Sequence, residues 1–258
     1  MKTMTKKLTG LGLALSLGLG TLGAMSVHND VSKAAITKTP VKVATNTHST
    51  DALLTPTNHA LLMIDHQPQM AFATKSADVT VLRNNAGGLA EAAKLFKVPT
   101  VLTTVASKTF SGEIFPEIKK VFPNQPIIDR TSMNAWDDQR VVDAVQKTGK
   151  KKLVVAGLWT EVCVVMPVLE ALDKGYDVYV VTDASGGVST EAHNMAIERM
   201  IQAGAHPITW MQYMLELQRD WANGATYHQV LDIAKEHGGA YGLGVQYAQD
   251  MFGAHEGK

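Results

Sequence analysis

One cysteine is present in the 258 residues, and its setting is chemical. Cys163 lies in GLWTEVCVV, just after an apolar run and within the first turn of a helix-like segment. Amide N–H groups and the helix dipole at such a place favour a thiolate, a strong nucleophile for carbonyl carbon. The competing role is a small buried core residue. Asp65 ends the run HALLMID and is placed to accept a thiol proton; the competing role is capping of the turn that follows. Lys108, in ASKTFSG, follows another apolar run, where an ammonium would lower the pKa of a nearby thiol; the competing role is a solvated surface lysine.

The elements that must position these residues can be read from the pattern. HALLMID (59–65), PTVLTTV (99–105), KKLVVAG (151–157), DVYVVTD (177–183) and HPITW (206–210) read as strands. Between and after them, 79–97, 160–174, 189–203, 212–222 and 227–237 carry helical spacing, with Gly175 and Gly204 as stops. This alternation predicts an α/β fold: a doubly wound, mostly parallel sheet with helices on both faces. Ligands in such sheets sit beyond the carboxyl ends of the strands, where Asp65, Lys108 and Cys163 each fall. Right-handed crossovers can bring those ends together on one edge.

The three residues with their surroundings resemble the isochorismatase-like cysteine hydrolases. The pattern is Asp65 in LLMIDHQ, Lys108 in ASKTFSG and the run Gly157-Leu158-Trp159-Thr160-Glu161-Val162-Cys163, over roughly residues 55–250. IDRTSMNAWDD, GLWTEVC, VTDASGG and ELQRDWA are most similar to the YcaC-like branch. The resemblance implies a three-layer sandwich, a cis peptide at Leu158–Trp159, an oxyanion hole from the Trp159 and Cys163 amides, and an acyl-enzyme on Cys163. It further implies Asp65 as acid and base, Lys108 tuning the thiol, no cofactor, and a homo-oligomer such as an octamer. The expected substrate is a small amide-like or ester-like molecule, attacked by a thiol that is reactive at neutral pH.

The departures narrow the reading. His66 is the only histidine between residues 66 and 107, so the metal-binding run of nicotinamidases is missing. Cys163 argues against vinyl-ether cleavage of the isochorismatase type, in which the nucleophilic cysteine is lacking. A non-catalytic small-molecule binder is the other alternative. No histidine spacing marks a metal site. GGAYGLG (238–244) lacks the flanking strand and helix of a dinucleotide fingerprint. Asn134 and Trp136 are candidates for substrate or subunit contact, with helix capping by Asn134 or Ser132 as the alternative, and DASGG (183–187) for a pocket edge or a plain turn.

Composition sets the outer limits. Lys+Arg and Asp+Glu both number 24, so the formal net charge is zero, which argues against nucleic acid as a partner. Hydrophobic residues make up 45%, too many for a disordered chain. Lys2, Lys6 and Lys7 precede an apolar stretch from Leu8 to about Met25, the order of a secretory signal. The expected division is a signal peptide over 1–34, a flexible leader over 35–54, one hydrolase domain over 55–250 and a tail over 251–258. A periplasmic or secreted location follows, with no stable membrane span after signal removal.

Overall fold

The computed structural model describes residues 52–253; the expected signal peptide, nearly all of the leader, and the tail beyond Gly253 lie outside the described residues. Six strands form the sheet: β1 (His59–Ile64), β2 (Thr100–Val105), β3 (Ile127–Arg130), β4 (Lys152–Gly157), β5 (Asp177–Val181) and β6 (His206–Ile208). All pair in parallel, in the order β3-β2-β1-β4-β5-β6. The winding direction reverses between β1 and β4, the position at which open α/β sheets hold their ligands. Asp65 and Leu158 follow these two strands directly.

Every residue of β1 is buried, as are Leu153 to Gly157 of β4. That explains their unbroken apolar runs, since a strand covered on both faces has no solvent side. Leu61, Leu62, Met63 and Ile64 are wholly inaccessible, each contributing about 1.5–3 kcal/mol of burial. Gly157 is required by close approach: a Cβ there would lie 2.5 Å from the Ile64 carbonyl oxygen.

The helices are α1 (Pro68–Ala73), α2 (Val79–Leu95), α3 (Pro116–Val121), α4 (Gln139–Lys147), α5 (Val165–Asp173), α6 (Thr190–Gln202), α7 (Trp210–Gln218), α8 (Tyr227–His237) and α9 (Gly239–Phe252). α2 packs with α3, α7 and α8, and α5 packs with α6. With right-handed crossovers, the reversal at β1 and β4 puts these two groups on opposite faces of the sheet. Asp78 caps α2 by accepting from the Thr80 and Val81 amides at 2.8 and 3.2 Å, and Ser189 caps α6 through the Ala192 amide at 3.0 Å. The stops at Gly175 and Gly204 are present as left-handed residues, with φ of 80° and 108°.

The sequence reading is corrected at three places. It passes over β3, a four-residue strand whose first three residues are not fully buried and so carry little apolar signal. GGAYGLG, read as lacking both a preceding strand and a following helix, follows no strand but itself opens α9, with Gly238 at the cap. The packed body begins before residue 55. Leu54 is fully buried, its amide donates to Glu216 Oε1 at 2.5 Å, and its carbonyl accepts from Arg219 Nη2 at 2.9 Å. Among the described residues no helix is long and apolar enough to cross a membrane.

Candidate active site

The carboxyl end of β1 turns sharply. Asp65 has φ of 54°, left-handed backbone that a non-glycine residue adopts at some cost. Its amide still bonds to the Thr103 carbonyl of β2 at 3.1 Å, and its own carbonyl accepts from the Gln67 amide at 2.7 Å. The turn carries the Asp65 side chain into a fully buried position beneath the strand ends.

Cys163 reaches the same point from β4. The peptide between Leu158 and Trp159 is cis, as the resemblance implies. Thr160–Val164 then form a π-helical turn that leads into α5, with the Trp159 carbonyl accepting from Val162 and Val164 at 3.1 and 3.2 Å. The thiol lies beside the Asp65 carboxylate and the Trp159 amide, close enough for both to act on its proton affinity. Cys163 is only 2% exposed.

The cation of the site is Arg130, which the sequence reading did not single out. Its Nη2 donates to Asp65 Oδ2 at 2.5 Å, and both side chains are fully buried. Nη1 donates to the carbonyls of Ser132 and, at 3.3 Å, Met133. Thr103 Oγ1 donates to the other Asp65 oxygen at 3.4 Å. Lys108 is not part of the cluster. It sits on an exposed turn after β2, ion-paired with Glu113, with 78% of its side chain accessible. A lysine in a surface loop keeps its hydration unless burial is forced on it, and nothing forces it here. The missed signal was Arg130 at the end of IIDR, hidden because that run was not recognised as a strand.

The protonation states follow from burial. Loss of solvent pushes Asp65 up to about 6, against the pull of Arg130 and the bonds from Cys163 and Thr103. Burial and the Asp65 charge push the Cys163 thiol up to about 12, although Arg130 and the Trp159 amide act the other way. At neutral pH the pair is therefore a carboxylate and a neutral thiol. Desolvation and a neighbouring anion act against the helix start, which by itself favours a thiolate. Such a pair can act by general base catalysis, the carboxylate taking the proton as sulfur attacks.

Neighbouring residues hold the strand ends. Gln67 is fully buried; its Oε1 accepts from the Val105 amide at 2.9 Å while Nε2 donates to the Val105 and Gly112 carbonyls. His66 Nε2 donates to the Ala184 carbonyl at 2.9 Å, and burial lowers the ring to about 4, keeping it neutral. The Trp159 indole donates to the Met70 carbonyl at 2.9 Å. DASGG acts as a brace: Ser185 Oγ accepts from the Gly157 amide at 3.1 Å and Gly186 pairs with Leu158. Asn134 is a cap, accepting from the Trp136 amide at 3.0 Å and donating to Glu170 at 2.7 Å. The Trp136 ring is buried edge-on against Tyr176.

Comparison with known proteins bears on this geometry. Residues 59–212 match the model of the isochorismatase domain, spanning β1 to the start of α7. The chain is 43% identical over 165 residues to the probable hydrolase YcaC of Escherichia coli, covering 64% of this chain and 79% of that protein. The crystal structure of the E. coli YcaC gene product, described as an octameric hydrolase of unknown specificity, superposes with a TM-score of 0.72 at 39% identity, over 77% of this chain and 96% of that one. YcaC from Pseudomonas aeruginosa, solved with hexane-2,5-diol and covalent acrylamide, gives a TM-score of 0.73 at 38% identity, over 78% and 98% of the two chains.

Proposed function

This chain belongs to the isochorismatase family of hydrolases, and we propose that it is a cysteine-dependent hydrolase of a small amide-like or ester-like substrate. The observation that carries the proposal is the buried cluster at the strand ends, in which Arg130 holds the Asp65 carboxylate and Cys163 lies beside it. Asp65 accepts the thiol proton as Sγ attacks the substrate carbonyl. The oxyanion that forms is stabilised by the Trp159 and Cys163 amides. Collapse expels ammonia, an amine or an alcohol, which takes the proton back from Asp65, and leaves a thioester on Cys163. Asp65 then draws a proton from water, which attacks the thioester, releases the acid and restores the thiol. Arg130 holds the carboxylate in its ionised form and fixes its orientation. The acrylamide carried by the P. aeruginosa relative supports a nucleophilic thiol, because acrylamide is an electrophile to which thiols add.

The test is mass spectrometry of protein quenched during incubation with a panel of small amides and esters. An acyl mass on the Cys163 peptide is expected, lost in Cys163→Ala. Full turnover by Cys163→Ala would overturn the mechanism.

The assembly and location are part of the proposal. A homo-oligomer, as in the octameric E. coli relative, is supported by the exposed stripe Leu243, Tyr247 and Met251 on α9, with Phe252 beside it. Export to the periplasm or beyond is supported by Lys2, Lys6 and Lys7 ahead of an apolar stretch.

A further inference from the structure

A second cluster of ligating groups lies outside the Asp65–Arg130–Cys163 site, between α2 and the end of α8. Glu91 of α2 and Glu236 and His237 of α8 each offer one ligand atom, all within 4.8 Å of one another. His237 is 9% exposed, and its ring is held from several sides. Asn84 Nδ2 donates to the His237 carbonyl at 2.8 Å, which turns Asn84 Oδ1 toward the ring, 3.1 Å from Nδ1. That oxygen only accepts, so Nδ1 carries the proton. Gly87 and Gly88 make room for the ring against α2; a Cβ on Gly88 would meet His237 Cβ at 3.1 Å and the Trp210 ring at 2.8 Å.

Nε2 therefore faces two carboxylates and is free to hold either a second proton or a metal ion. It lies 3.6 Å from Glu91 Oε2 and 3.9 Å from Glu236 Oε1, and it has no hydrogen-bond partner. A buried ring nitrogen facing two anions without a hydrogen bond is unfavourable unless a proton or a metal ion lies between them. Zinc bonds of about 2.0–2.1 Å place neighbouring ligand atoms about 3.4 Å apart; the two His237 pairs lie at 3.6 and 3.9 Å and all three atoms within 4.8 Å, so side-chain adjustment, largest between the two carboxylates, would complete the site. The Asn84 bond to Nδ1 is the kind of support that fixes the tautomer of a ligating histidine. No local sequence motif marks this set, because it joins residue 91 to residues 236 and 237.

We propose that Glu91, Glu236 and His237 form a binding site for a divalent transition-metal ion of the zinc class, which clips α8 to α2. One imidazole and two carboxylates suit such an ion and leave a fourth position for water. The ion would act on stability, not on the chemistry at Cys163.

The experiment uses the full chain as a Cys163→Ser protein, to remove the competing thiol, stripped with a chelator and titrated with Zn²⁺. One saturable ion per chain is expected by calorimetry and elemental analysis, with a rise in Tm of about 3 °C or more at saturation. Glu236→Gln, at a 57% exposed side chain, is expected to weaken binding at least tenfold without lowering the metal-free Tm. Glu91→Gln combined with it is expected to abolish both the binding and the rise in Tm. Absence of a stoichiometric ion, or unchanged affinity in Glu236→Gln and the double variant, would overturn the proposal. An ion pair of protonated His237 with the two carboxylates would give that negative result.

Discussion

Arg130 Nη2 lies 2.5 Å from Asp65 Oδ2, although β2 separates their strands in the sheet. Two strand spacings amount to about 9–10 Å, which a long arginine side chain can cross. The guanidinium thus delivers a charge from the sheet edge to the reversal point between β1 and β4. Despite this contact Asp65 stays above the ordinary carboxylate range, because burial outweighs the ion pair.

Arg130 and Lys108 should therefore separate cleanly under mutation. Arg130→Gln strands a buried carboxylate and is expected to cost about 3–5 kcal/mol of stability, and most of the activity. Lys108→Ala touches only an exposed pair with Glu113 and should change stability by less than about 0.5 kcal/mol, with activity unchanged. Chemical denaturation and kcat/KM of the two variants check this.

The pH profile follows from Asp65. With a pKa of about 6 in the folded protein, the carboxylate is present above that pH and lost below it. kcat/KM should fall about tenfold per pH unit below 6 and stay flat through neutrality, since the thiol does not ionise until about 12. For stability the sign is opposite. The raised pKa favours folding at low pH, and that contribution disappears as pH rises through 6. A pH–rate series beside a pH series of denaturant midpoints tests both.

Thiol reactivity should depend on the carboxylate. Asp65→Asn removes the base and is expected to slow acrylamide labelling of Cys163 at pH 7 at least tenfold. Equal labelling rates in the two proteins, followed by mass spectrometry, would argue for a free thiolate.

Gly157→Ala would place a methyl group 2.5 Å from the Ile64 carbonyl oxygen, in backbone that cannot yield cheaply. A loss of about 1–3 kcal/mol or more is expected. Because Leu158 and Trp159 follow directly, kcat should fall as well; thermal denaturation with kinetics on the same samples reads both effects.

Charge on the α9 stripe should break assembly. Tyr247→Glu with Leu243→Glu adds two buried charges to any interface that covers this face. Light scattering is expected to report a large oligomer for the parent and a smaller species for the variant.

Much of this architecture was legible in local pattern. Five of the six strands, the capped helix α2 and the stops at Gly175 and Gly204 follow from periodicity and backbone preference, which act over a few residues. Asp65 and Cys163 were legible because each follows an unbroken apolar run, and strand ends are where such folds keep their chemistry. The short helices α1, α3 and α4 gave no reading of their own, and α9 was obscured by its glycines, which favour helix poorly.

The choice of cation was not local. Lys108 follows a strongly written strand and Arg130 a weak one, so sequence pattern pointed to the wrong residue. Strand order decided it, by seating β3 where its last side chain could reach under β2 while Lys108 turned outward to Glu113. Burial then decided the protonation states of Asp65 and Cys163. By itself the sequence determined which residues stand at strand ends, because that depends on neighbours along the chain. Only the tertiary structure decided which of those ends share a desolvated space, because distance and solvent exclusion belong to the packed sheet.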